Sequence, residues 1–463
     1  MLSSLRHISI PSRPVESEGL AWFRFGSLGE KVVLTTDAGE WHAMNPGDFT
    51  SLLAGTLSRD GNDYLALLAK GFIRDGYDVE YHASRFRRTK RFIGLGPMRH
   101  DIHLSTAAGV LEIDQAKAIL DHALSSSADE LTIAMHAGPS PLNSGLVTFI
   151  QEFAEEKNQY EKKALSHVLH APMGAMDERV MEALVARRII VRTSFDGAAE
   201  VHDAQRGSTG AEGHSAVFEN IVTLHDVARD AGLENHEYSV VADVHVGAPA
   251  RGQAQAIVNG LAEAGVRDFR VTPILEGDAA ITPEDFGAFY GELLDVLIHR
   301  AAGEARLREL NARALMTRIH SGGDPEDIEL SSPSGWGLNT RSYAPDGGIY
   351  PSCSALQLGA SGDPIFQLGN VADATQEGMA NHATVRTFVV ASIADCLPGY
   401  QHLWSSPYIG VDPVAAYCKT GDLFTRLPTS VEHRATQSMI EALFLRLMAA
   451  GDDVEGMSVQ LAG

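Results

Sequence analysis

Between residues 99 and 274 the chain alternates six times between a short strand-like run and a helical stretch, and no other feature narrows its fold as far. The runs Arg99–Thr106, Glu130–His136, Ala164–His170, Ile189–Ser194, Ser239–His245 and Phe269–Ile274 have the composition and much of the two-residue alternation of strands. The gaps between them hold Ile113–Leu124, Gly145–Glu156, Asp177–Ala186, Ser215–Ala231 and Ala254–Ala264, each with helical spacing. Parallel strands need long crossover connections, so this rhythm predicts a parallel sheet covered by helices. A full or partial TIM-type barrel and a doubly wound sheet both satisfy it. In a barrel, the chemistry lies at the C-terminal strand ends.

The flanks differ. Residues 1–92 read as a small winged-helix-like α+β unit. Trp22–Phe25, Lys31–Thr35 and Glu40–Ala43 are its strands, with a turn at Asp37-Ala38-Gly39. Asn45-Pro46-Gly47-Asp48 starts a helix that runs to about Leu57. A second helix, Asp63–Lys70, stops at Gly71, and Phe72-Ile73 resumes a strand. Arg85, Arg87, Arg88, Lys90 and Arg91 read as a solvated linker rather than a binding patch. The barrel is expected over 96–310. Residues 311–463 pass through Asp327–Ser332 into a loop-rich, Gly- and Pro-rich region closed by helices at Ala380–Ala394 and Glu432–Ala450. The fold class expected is therefore α/β, a partial TIM-type parallel barrel with these two additions.

The net charge of −23 repels nucleic acid and anionic membrane and suits a basic or polar peptide better. No apolar run is long enough for a membrane span, and no charged-then-apolar signal segment is seen, so a cytoplasmic protein is expected. The three cysteines, Cys353, Cys396 and Cys418, form no C-x-x-C pair and read as reduced bystanders.

Strand alternation sorts the polar residues of the barrel. With Ile102 and Leu104 facing the helices, Asp101, His103 and Ser105 turn inward. With Leu131, Ile133 and Met135 outward, His136 is inward; with Val240, Ala242 and Val244 outward, Asp243 and His245 are inward. His170 ends the third strand, and Arg192 faces in on the fourth, placed to hold an anion or to pair with Asp243. Asp101, His103, His136, His170, Asp243 and His245 thus form a candidate site for iron, manganese or zinc. The competing reading makes them hydrogen-bonded polar groups that fill a barrel mouth. No nucleophile elbow, P-loop or zincin motif is present.

Longer signatures point further. The segment "VVLTTDAGEWHAMNPGDFTSLLAG" followed by "LLAKGFI" resembles the PqqD-like peptide-recognition domain. Gly96-Pro97, "SFDGAAEVHDAQR" from Ser194, "SPSGWG" from Ser332, "PDGGIYPS" from Pro345, "FQLGNV" from Phe366 and "LPGYQHLWSSPYIGVDPVAAYCKTGDLF" resemble radical SAM maturases with a SPASM-type C-terminal region. The likeness is nearest to the His-Xaa-Ser system maturases of HxsB type. That resemblance implies a four-iron, four-sulfur cluster on a C-x-x-x-C-x-x-C loop after the first strand, with S-adenosylmethionine on its open iron. Here Ser105-Thr106-Ala107-Ala108-Gly109 runs almost directly into the next helix. Where the family has Gly-Gly-Glu-Pro, the chain reads Ala137-Gly138-Pro139-Ser140. The family's C-terminal cluster cysteines fall on Ser334, Ser352, Tyr400, Leu403, Ile409 and Asp412, with Cys353 one place off.

Against that pattern no iron–sulfur cluster is expected, and S-adenosylmethionine is an unlikely ligand. The resemblance then implies a peptide-binding or partner scaffold in a ribosomal-peptide modification system. A precursor peptide would bind the N-terminal unit, and a cysteine-complete radical SAM maturase would be the partner. The alternative is a metal-dependent peptide-modifying enzyme, an oxidase or hydrolase, built on the His/Asp site.

Overall fold

The computed structural model describes residues 19–138, 141–207, 210–234, 237–300, 306–321, 330–424, 430–451, 456–457 and 461. Pro139, Ser140 and residues 327–329 of the Asp327–Ser332 stretch lie outside them.

The N-terminal unit is an antiparallel sheet of β1 (Arg24–Leu28), β2 (Lys31–Thr35) and β3 (Trp41–Met44), in that order. The helices Pro46–Leu53 and Asn62–Ala69 cover it, and Val32, Leu34, Phe49, Leu67 and Phe72 make its own small core. Phe72-Ile73 does not form a strand; Ile73 makes an isolated bridge with Leu20. The basic stretch is helical rather than a linker: it lies on the helix Val79–Thr89 and the turn after it. Arg87, Arg88 and Arg91 are exposed as expected, but Arg85 is buried, donating to the Ile319 carbonyl at 2.6 Å and the Ala38 carbonyl at 3.1 Å.

The central sheet begins with β4 (Arg99–His103). A hairpin of β5 (Ser105–Thr106) and β6 (Gly109–Val110) follows, where the sequence suggested an almost direct entry into the helix Ile113–Leu124. Next come β7 (Glu130–His136), β8 (Ala164–His170), β9 (Ile190–Ser194), β10 (Val241–Val246) and β11 (Asp268–Pro273), each reached through helix. All six main strands are parallel and adjacent in chain order, β4-β7-β8-β9-β10-β11. This is the partial-barrel arrangement expected from the alternation. The helix-facing side chains carry the core: Ile102, Ile133, Met135, Leu169, Val191, Ala242 and Val244 are almost wholly buried. Burial of such side chains at ~1.5–3 kcal/mol each is the main force fixing strand register, since a one-residue slip would turn them to the other face.

The sheet continues beyond residue 310. After β12 (Arg308–Glu309), which extends the β11 edge, β13 (Thr340–Tyr343) lies parallel to β4 on the other side. The antiparallel β14 (Gly348–Tyr350) and β15 (Gly369–Asn370) complete ten strands. The sequence suggested loop here. Thr340, Arg341, Ser342 and Tyr343 are all buried, so no apolar–polar alternation marks the strand. The last long helix, Val431–Ala450, packs along Pro283–Ile298, tied by Arg446 to Asp295 at 2.6 Å.

Candidate functional site

A cavity of about 1050 Å³ opens at the C-terminal ends of β4 and β7 to β11. Its floor is the inward set of the sheet: Arg99, Asp101, His136, His170, Arg192, Asp243 and Arg270. Its far wall comes from Trp336, Cys353, the segment Ile409–Asp412 and the helix Val431–Ala450.

Parallel pairing explains the floor. His103 on β4 is the register partner of His136 on β7, which partners His170 on β8, which partners Arg192 on β9. Equivalent positions on adjacent strands bring their side chains side by side. The three imidazoles stack as a row: centroids are 4.7 Å apart for His103–His136 and 4.3 Å for His136–His170, with planes 10° and 13° from parallel. His136 Nε2 lies 2.8 Å from Asp101 Oδ1, which also accepts from Arg99 Nε at 3.0 Å. Arg192 holds Asp243 with two nitrogens, Nε to Oδ2 at 2.8 Å and Nη2 to Oδ1 at 2.5 Å.

Burial and neighbours set the charges. Burial opposes ionisation of Asp101, but the Arg99 charge and the His136 hydrogen bond prevail and hold its carboxyl well below the ordinary range. Burial, then the nearby His136, pushes His103 down to about 4. His170 falls to about 2 through burial, His136, Arg99 and Arg192. Both rings are therefore neutral and able to act as donors of a lone pair. Burial, then the Asp101 charge, drives the Cys353 thiol well above its ordinary range.

Five of the six sequence-derived candidates behave as one neighbourhood or its continuation. Asp101, His136, His170 and Asp243 line the cavity, and His103, only 7% exposed, sits behind His136. His245 does not converge with them. Its backbone N–H donates to Asp196 Oδ1 at 2.7 Å and its Nδ1 lies 2.5 Å from Arg206 Nη2, so it belongs to a separate knot. Asp196, fully buried, centres that knot and also accepts from Gln205 and Arg206.

Cys353, set aside as a bystander in the sequence, stands on the cavity wall with Sγ 3.8 Å from His136 Nε2. Ser342 donates to the same sulfur at 3.6 Å. Nothing in the sequence links positions 217 residues apart. Arg99 and Arg270 were also missed, although the alternation that turns Asp101 inward applies to Arg99, and that flanking Phe269 and Val271 applies to Arg270.

A four-iron cluster of the kind the resemblance implies needs several thiolates on one site. The cavity wall offers one, from Cys353, while Cys396 and Cys418 are exposed and do not line it. The β5–β6 hairpin after β4 contains no cysteine. These residues do not fit the cluster.

No family model matches the sequence, and no curated protein sequence does. Solved structures do match. Native anSMEcpe with bound AdoMet aligns with a TM-score of 0.62 at 14% identity, over 77% of this chain and 100% of that one. The same protein with bound AdoMet and Cp18Cys peptide gives 0.61 at 14% identity, over 77% of this chain and 99% of that one. Streptococcus suis SuiB bound to S-adenosylmethionine gives 0.52 at 10% identity, over 88% and 98%. At such identity the likeness is one of fold. The structural neighbours are radical SAM maturases of SPASM type, and this chain shares their mixed α/β architecture with a partial parallel barrel.

Proposed function

We propose that this chain is a radical SAM-derived protein that binds a peptide of a ribosomal-peptide modification system without performing iron–sulfur chemistry itself. The observation that carries the reading is the cavity: about 1050 Å³ at the catalytic end of the sheet, with charged groups along its floor. Drug-sized ligands fill pockets of ~300–1,000 Å³, so this volume holds several amino-acid residues. The net charge of −23 favours a basic or polar chain. A neighbour of the same fold has been solved with a bound peptide. The small N-terminal sheet supports a second contact. β3 is an edge strand, the position at which an extended peptide can add by main-chain hydrogen bonds. With one thiol at the cavity, cleavage of S-adenosylmethionine falls to a partner, a cysteine-complete radical SAM maturase working on the same peptide.

The test is selection of binders from a displayed random-peptide library, followed by anisotropy titration of the enriched peptides. Binding to the wild type and at least tenfold weaker binding to Ala416→Trp, which projects a bulky ring from the cavity wall, are expected. Absence of any enriched peptide, or equal binding by the filled variant, overturns cavity binding. Anaerobic reconstitution with iron and sulfide is expected to leave no stoichiometric cluster; a cluster-loaded protein that cleaves S-adenosylmethionine overturns the rest.

A further inference from the structure

We infer that His103, His136 and Cys353 form a binding site for a single zinc-class divalent cation, with Asp101 beside it. The inference stands independently of peptide binding.

The three residues reach one point from three elements. His103 and His136 come from adjacent parallel strands at matched positions, and Cys353 opens the helix Cys353–Ala360 that closes over them. One ligand atom from each lies within 4.8 Å of the other two. Cys353 Sγ and His136 Nε2 are 3.8 Å apart. Zinc–sulfur and zinc–nitrogen bonds of ~2.3 and ~2.05 Å at a tetrahedral angle place two such donors about 3.5 Å apart, so this pair needs a few tenths of an ångström of adjustment. The His103 ring, stacked on that of His136 with planes 10° apart, must in addition turn to bring its lone pair to the same point.

A second observation is independent of that spacing. His103 is 93% buried, being 7% exposed, yet its Nε2 has no hydrogen-bond partner. A buried nitrogen without a partner costs ~1–3 kcal/mol, and native structures rarely leave one. A cation bound between His103, His136 and Cys353 removes that cost. Asp101 Oδ1, 2.8 Å from His136 Nε2, is placed to take the fourth position once the proton shared with His136 has left.

The donor chemistry selects the ion. Two imidazoles and a thiolate suit zinc, or cobalt as its spectroscopic substitute, and disfavour magnesium and calcium, which take oxygen donors. The site differs from the all-His/Asp set read in the sequence: Cys353 enters, while His245 belongs to the Asp196 knot and Asp243 to Arg192.

The experiment uses untagged full-length protein stripped with chelator and titrated with cobalt(II). One cobalt per chain is expected, with tetrahedral d–d bands and a sulfur-to-cobalt charge-transfer band. Cys353→Ser should abolish the charge-transfer band, and Cys396→Ser plus Cys418→Ser should leave it intact. His103→Gln should weaken zinc binding at least tenfold, measured by competition with a chromophoric chelator. Retention of the sulfur band in Cys353→Ser, or failure of the wild type to bind cobalt stoichiometrically, overturns the site. Because variants at His103 could misfold, alkylation of Cys353 is the second readout. Zinc should slow it at least tenfold in the wild type; equal rates with and without zinc overturn the proposal.

Discussion

Arg192 on β9 grips the carboxylate of Asp243 on the neighbouring strand β10 through two nitrogens, at 2.8 and 2.5 Å, on the floor of a solvent-open cavity. The side chains are 17% and 23% exposed, so water screens the pair only partly. Removing one partner leaves the other charge without its match, which costs far more than the pair itself contributes. Asp243→Ala is expected to lower stability by about 1–2 kcal/mol, read from urea denaturation, with Arg192→Leu in the same background restoring part of it. Equal, additive losses would show that the two residues are not coupled.

Tyr343 joins two buried imidazoles: its hydroxyl lies 2.9 Å from His100 Nδ1 and 3.1 Å from His122 Nδ1. Burial, then the Arg341 charge, lowers His122 to about 4 and His100 to about 3. Both have folded values below the unfolded value near 6.5, so the unfolded chain binds more protons in between. Stability should therefore fall as pH drops from about 6.5 towards 4, and be independent of these groups above about 7. His122→Gln should flatten the urea midpoint against pH by about one proton across that window. A slope identical to the wild type would refute the assignment.

The Ser194-Phe195-Asp196-Gly197 run has a structural account. Asp196 is wholly buried and accepts hydrogen bonds from Gln205, Arg206 and the His245 backbone. Gly197 has φ of +73°, and a Cβ there would meet the Ile257 carbonyl oxygen at 2.3 Å. Backbone contact at that distance admits no flexible side chain. Asp196→Ala should cost about 3–5 kcal/mol, because Arg206 would be left facing an empty acceptor. Gly197→Ala should cost at least ~1–2 kcal/mol from φ alone. Thermal unfolding of either variant at wild-type temperature would be inconsistent with this knot.

How far the sequence reveals the molecule depends on which physical signal each part carries. β7 was legible to the residue, as was the helix Ile113–Leu124, because one face of each is apolar and the other is not. The bounds of β8 were also legible, but its facing was not, because His167 stands on its buried face between Leu165 and Leu169. The same alternation turned Asp101, His136 and Asp243 towards the cavity. It failed at β13, whose Thr340–Tyr343 are buried on both faces with polar side chains. It put His245 on the same face of β10 as Asp243, but could not show that Asp196 and Arg206 engage that residue and keep it out of the histidine row. Cys353 reaches His136 only through tertiary packing, so no local pattern could pair them.

Arg85 separates a true linker from an interface. Composition made it one of five cations in a solvated run, yet it is 6% exposed and donates to the carbonyls of Ala38, Ile319 and His320 while pairing with Glu40 at 3.1 Å. It thereby ties the N-terminal unit to the helix Leu310–Ser321. Other ties reach the C-terminal region: Thr35 donates to the Trp404 carbonyl at 2.6 Å, and Tyr408 to that of Gly39 at 2.9 Å. Leu28 and Val33 belong to the main core, not to the small one. The three regions should therefore unfold together. Arg85→Ala is expected to cost about 2–4 kcal/mol, since it strips buried carbonyls and Glu40 of their donor. Arg88→Ala, at an exposed position on the same helix, should change stability by less than ~0.5 kcal/mol. A protein starting at residue 96 should fail to give the full cooperative transition. If it instead unfolds at the wild-type temperature, the N-terminal unit is a loosely attached module and these contacts contribute little.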